Sequence, residues 1–243
     1  VLRKRVEDGV VEARGGGAWR ALVRHGAVQS LTAWDPVKDA PRHDVVAQEY
    51  IKAMACCAVG ARGGAPPKNA LFLGLGAGTL PMLLGCEAST AVELDGAAAA
   101  LAASYLGLEG VDVIVGDALD HASLAPGSYD VVALDVYGDD DRVPAPFRTA
   151  AFAESVADAL APGGVFVANY HVGGAEDAIA DEAARNYASA FPGLLGVDVR
   201  YQGNRILVGG AAPGDMAERA AAAAERLGWR FDPRSRLGRV KRM

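Results

Sequence analysis

The chain has 243 residues, 51% of them hydrophobic, with 24 Lys and Arg against 30 Asp and Glu, a net charge of −6 and a pI near 5.3. That suffices for one sizeable core, or a core with a small appendage, and the acidic balance leaves no overall basic footprint for nucleic acid. Cys56, Cys57 and Cys86 form no CxxC pair, which suggests a reducing, intracellular compartment; no apolar run reaches transmembrane length, and a first residue of Val1 leaves room for a removed peptide targeting an organelle.

From Val10 to Trp34, short β-prone runs are broken by "RGGG" and "RHG", the pattern of a small β-hairpin or meander. "DPVKDAPRHD" is a loop. "VVAQEYIKAMACCAVG" places apolar residues at helical spacing, and "ARGGAPPKN" breaks it. From Asn69 strands and helices alternate. "ALFLGL", "STAVELD", "VDVIVGD", "YDVVALDVY" and "GVFVANYH" read as strands. The segment from Thr79, "GAAAALAASYLGL", "PFRTAAFAESVADALAPGG" and "EDAIADEAARNYASAF" read as helices. Near-continuous apolar strands in βα alternation imply a parallel sheet covered on both faces. "LGVDVRYQGNRILVGG" predicts two antiparallel strands at the sheet edge, joined by "QGN". "DMAERAAAAAERLG" predicts a closing helix, and "RFDPRSRLGRVKRM" reads as a basic, solvated tail that could dock on a protein or nucleic acid. The organisation expected is residues 1–45 as hairpin region and linker, 46–229 as the main domain and 230–243 as the tail.

The first strand runs into Gly74, Gly76 and Gly78. No Lys follows the last glycine, so this is no Walker A loop. Thr79 stands where a dinucleotide fingerprint needs its third glycine, which excludes the usual G-x-G-x-x-G. G-x-G-x-G is the spacing of loops that pass under S-adenosylmethionine (SAM), where side chains would block the ligand. A plain tight turn is the simpler alternative. Three acids favour the ligand. Glu93 ends the second strand, where a carboxylate fork suits ribose hydroxyls. Asp117 ends the third, where it suits an adenine amino group beside the Ala118 N–H. Asp135 ends the fourth and faces the crevice where open α/β sheets bind ligands. His25, His43, His121 and His171 show no ligand-type spacing, so no metal is expected. His171, with Asn169 and Tyr170, reads as a strand end that touches substrate at most.

The chain at this point resembles the spermidine synthase-like branch of the class I SAM-dependent transferases. The resemblance rests on "RHGAVQS", "AQEYIKAM", "GLGAGTLPMLL", "AVELD", "GDAL", "YDVVALDVYGDDDRVP", "AFAESVADALAPGGVFVANYH" and "GNRILVGG", in that order. It implies a Rossmann-like methyltransferase fold: a mostly parallel seven-stranded sheet with helices on both faces, preceded by a small N-terminal β-hairpin, and homodimers through that hairpin. It implies SAM or decarboxylated SAM as cofactor. Gly74, Gly76 and Gly78 would line the cofactor loop, Glu93 would take the ribose, Asp117 with Ala118 the adenine, and Gln48 would lie near cofactor and amine. Asp135 would act beside the transferred group. Two features depart from aminopropyltransferases. Ala77 replaces the acid expected in the glycine loop, and "VYGDDDRVP" replaces the D-[ST]-x-D-P motif after Asp135.

Three functions follow. The first is a methyltransferase on a small-molecule or amine acceptor, with Asp135 orienting or deprotonating it and Tyr137, Asp139 and Asp140 at the acceptor mouth. The second is a polyamine aminopropyltransferase using decarboxylated SAM, disfavoured by the lost acids, since each charge-assisted hydrogen bond contributes about 1.5–3 kcal/mol. The third is a non-catalytic homologue serving as subunit or assembly factor of a larger complex.

Overall fold

The computed structural model describes residues 2–6, 11–121, 125–210 and 214–243. The chain opens with β1 (Leu2–Val6), β2 (Val11–Gly16), β3 (Trp19–Arg24), β4 (Ala27–Asp35) and β5 (Ala40–Pro41), an antiparallel sheet in sequential order. The expected hairpin is thus the β3–β4 pair within a larger sheet.

The second sheet is built from β6 (Asn69–Leu73), β7 (Ala88–Glu93), β8 (Asp112–Val115), β9 (Tyr129–Leu134), β10 (Leu160–His171), β11 (Leu195–Val199), β12 (Asn204–Gly209) and β13 (Leu237–Arg242). Between them run α1 (Glu49–Ala61, ahead of β6), α2 (Thr79–Leu84), α3 (Gly96–Tyr105), α4 (Ala150–Ala159), α5 (Glu176–Tyr187) and α6 (Met216–Ala224). Its strand order is β13-β11-β12-β10-β9-β6-β7-β8, so eight strands stand where seven were expected. The strands from β10 to β8 are parallel, while β12, β11 and β13 add antiparallel pairs.

The apolar runs of β6, β9 and β10 are buried on both faces, as central parallel strands must be. Alternate residues serve two cores. Phe72, Ala133 and Val167 pack with α1, α2 and α6, while Leu71, Leu134 and Phe166 pack with α4 and α5. Helix starts follow local chemistry: Asp95 accepts from the Ala97 and Ala98 amides, Thr149 from Phe152 and Asp215 from Glu218. Pro146 turns the start of the predicted fourth helix into a 3-10 turn (Ala145–Arg148), and α4 begins only after Thr149.

Two expectations need correction. The β11–β12 pair lies inside the sheet, because β12 pairs with β10 and β11 with β13. The basic end is β13, not a solvated tail. Leu237 is buried and Arg239 exposed, a pattern edge strands tolerate because one side of the ribbon stays wet. Among the described residues, no helix is long and apolar enough to cross a membrane.

Candidate active site

The chain runs β6, β7 and β8 to one side, then returns to place β9 against the other side of β6. This reversal opens a crevice at the carboxyl ends of the strands. A cavity of about 430 Å³ lies there, within the usual range for small-molecule sites.

Gly74 forms its floor. With φ at 91°, any Cβ would stand 2.3 Å from the Asp135 carbonyl oxygen, so the β6 and β9 ends can meet only at glycine. Glu93 braces the loop: Oε2 accepts from the Leu75 and Gly76 amides (3.2 and 3.4 Å) and Oε1 from Asp95 (3.0 Å). Gly78, in the left-handed region, begins α2 and abuts Leu108, away from this cavity. The Ala77 methyl packs with Leu22, Ala97, Leu101 and Tyr105, so this loop presents no carboxylate.

Asp117 lies past the end of β8, its Oδ1 accepting from Leu119 (2.9 Å), and Ala118 is buried beside it. Asp135 follows β9. Its Oδ1 accepts from Asn169 Nδ2 (2.9 Å), and Asn169 Oδ1 accepts from Asn204 Nδ2 (2.9 Å), a buried chain reaching β12. Burial pushes the Asp135 carboxyl up to about 6; hydrogen bonds from Asn169 and the Tyr50 hydroxyl, and the nearby His171, only partly offset this. Tyr137 donates to the Asn169 carbonyl (3.1 Å) and packs its ring on His171, centroids 4.6 Å apart. Desolvation holds its hydroxyl far above the usual phenol range, so it stays protonated.

Gly74, Gly76, Glu93, Asp117, Ala118, Asp135, Tyr137 and Asp139 therefore share one cavity. Gln48 and Asp140 are not among its lining residues. Gln48 caps the start of α1 with its side-chain oxygen buried and unpartnered; Tyr50, two residues on, reaches the cavity instead. Asp140 turns back to accept from the Arg142 amide (3.3 Å), closing a turn that Arg142 anchors to Glu176. Sequence reasoning also missed Arg24, Gln29 and Ser30, which form a wall from the first sheet. Their signal was present, since all three lie within "RHGAVQS".

No protein-family model matches the chain, and no curated protein sequence does. Solved structures do. A probable spermidine synthase from Corynebacterium glutamicum ATCC 13032 superposes with a TM-score of 0.73 at 21% identity, over 91% of this chain and 85% of that one. Human methyltransferase-like protein 13, solved with SAH, gives 0.63 at 25% identity, over 75% and 93%. A spermidine synthase bound to the transition-state analogue AdoDATO gives 0.64 at 16% identity, over 90% and 75%. The chain shares the fold of these transferases.

Proposed function

We propose that the chain is a SAM-dependent transferase, and specifically a methyltransferase acting on a small amine-bearing acceptor held against Asp135. The observation that carries this reading is the order of the site. Glu93, Asp117 with Ala118, and Asp135 stand at the ends of three successive strands along one cavity, over a glycine floor. The likeness to a structure solved with SAH supports the same ligand class.

The residues present fit that ligand. A carboxylate offers about four acceptor positions, and Glu93 spends three on backbone amides, so one remains for a ribose hydroxyl. Asp117 commits one oxygen to Leu119 and has the other for an exocyclic amine. Bound SAM supplies an electrophilic sulfonium methyl. The protein's part is to place the acceptor in line with it. Asp135, raised to about 6, is ionised at neutral pH and is placed to orient a neutral amine acceptor and take the proton that its nitrogen releases as it bonds the methyl. Asn169 holds its Oδ1 and the Tyr50 hydroxyl also donates to the carboxyl, which together fix its direction.

Aminopropyl transfer is the second reading, favoured by the acids Asp135 and Asp139 at the acceptor end. Thermal shifts with SAM, SAH and decarboxylated SAM, followed by transfer assays with each donor and putrescine or other small amines, separate the two. Methyl transfer without aminopropyl transfer is expected. Stabilisation by decarboxylated SAM alone, with aminopropylated putrescine as product, would overturn the methyltransferase reading.

A further inference from the structure

The cavity is lined by five carboxylates, Glu93, Asp95, Asp117, Asp135 and Asp139, and by one cationic side chain among the described residues, Arg24. An intact SAM carries a carboxylate that its decarboxylated form lacks. In such an acidic cavity that carboxylate needs a strong donor. The glycine loop offers few. The Gly74 amide donates to Val92, Leu75 and Gly76 donate to Glu93, and Gly78 donates to Leu75.

Arg24 is placed to supply the missing donor. It ends β3, on the wall that also carries Gln29 and Ser30, and lies beside Asp139 at the Asp135–Tyr137 end of the cavity. That end is opposite the Asp117–Ala118 pocket suited to a base. Its guanidinium is under-used: Nε is buried without a partner, and the ion pair to Asp139 is loose at 3.8 Å, with the Asp139 side chain 81% exposed. An exposed pair of this length holds its partners weakly, whereas guanidinium matches a carboxylate with two parallel N–H donors.

We propose that Arg24 reads the α-carboxylate of the bound donor, so that the site selects SAM and its demethylated product over decarboxylated SAM. This rests on the SAM reading above and names the residue that sets donor choice. Together with Ala77, which leaves the glycine loop without an acid to grip a free amine end, it gives the cavity a preference for the amino-acid form of the donor.

The test is calorimetry of the wild type, Arg24→Gln and Arg24→Lys with SAM, SAH, decarboxylated SAM and methylthioadenosine. Loss of one charge-assisted contact should weaken SAM and SAH about tenfold or more in Arg24→Gln. Binding of decarboxylated SAM and methylthioadenosine should stay within about twofold, and Arg24→Lys should fall between. An equal loss for all four ligands, or no loss for SAM and SAH, overturns the assignment while leaving the SAM reading intact. A wild type that binds none of the four overturns the SAM reading, and the assignment with it.

Discussion

Asp135 and Gly74 meet at a single point, where the ends of β6 and β9 touch, and each makes a distinct demand. Burial raises the Asp135 pKa from 3.8 to about 6, so the folded protein binds that proton more tightly than the unfolded chain. The associated stability is fully present below pH 4 and is lost as pH rises through 6. Asp135→Asn should remove this dependence. The difference in thermal midpoint between wild type and variant, followed from pH 4 to 7, should shift in the variant's favour as pH climbs. Activity should move the other way. In the wild type kcat/KM should rise with pH through about 6 as the carboxylate ionises, and Asp135→Asn should lose roughly 100-fold or more. Asn169→Ala removes a hydrogen bond that holds the carboxyl down, so the midpoint of that pH profile should move upward. Gly74→Ala tests the geometry instead. A methyl 2.3 Å from a backbone oxygen, at a φ of 91°, cannot be accommodated without parting β6 from β9. A loss of about 3 kcal/mol or more is expected, roughly 6–12 °C in midpoint for a chain of this size, with ligand-induced stabilisation abolished.

The central strands were legible because they are apolar on both faces, and only a parallel sheet covered by helices uses such strands. The glycine spacing and the strand-end acids were legible for a related reason. Each lies within a few residues of an element boundary, so sequence position fixes spatial position. What escaped depended on contacts distant in sequence. Nothing local to Gln48 or Tyr50 says which of them faces the cavity; that is decided by how α1 seats against β10 and β12. Asp140 looks like a site acid until the turn around Gly138 draws it back onto the Arg142 amide. Strand β13 escaped because Arg239, Lys241 and Arg242 resemble a solvated tail, whereas such charges also suit an edge strand. Removing residues 237–243 should therefore do more than trim a tail. It strips the partner from β11, uncovering the β11 edge from Leu195 to Val199. A lower thermal midpoint and concentration-dependent light scattering are expected. An unchanged midpoint with no scattering would mean that β13 pairs without contributing stability.

The molecule is two sheets that share one cavity, and the first sheet meets the second unit along α2 and α3. Leu22 of the first sheet meets Ala77, Ala97, Ala98, Leu101 and Tyr105 of the second unit, and Thr79 Oγ1 donates to the Leu31 carbonyl (3.1 Å). Arg20 locks the joint. Its guanidinium carbon lies 3.2 Å from the Trp34 ring centre and 4.3 Å from that of Tyr105, while Nη1 donates to the Tyr105 carbonyl (2.7 Å) and Nη2 to Asp39 (2.7 Å). The Asp39 pair is exposed on one side and contributes little; the ring stacking and the carbonyl bond carry the effect. Arg20→Ala should therefore cost about 2–3 kcal/mol, on the order of 4–12 °C in midpoint. Arg20→Lys should recover only part of this, because an ammonium cannot lie flat between two rings and donate to the carbonyl at once. The larger consequence concerns binding. Arg24, Gln29 and Ser30 reach the cavity only because this joint seats the first sheet, so loosening it should weaken SAH even where the variant is fully folded. Calorimetry with SAH well below the variant's midpoint distinguishes the cases. Weaker binding there makes the N-terminal sheet a working wall of the site, whereas unchanged affinity beside a lowered midpoint would reduce it to a stabilising appendage.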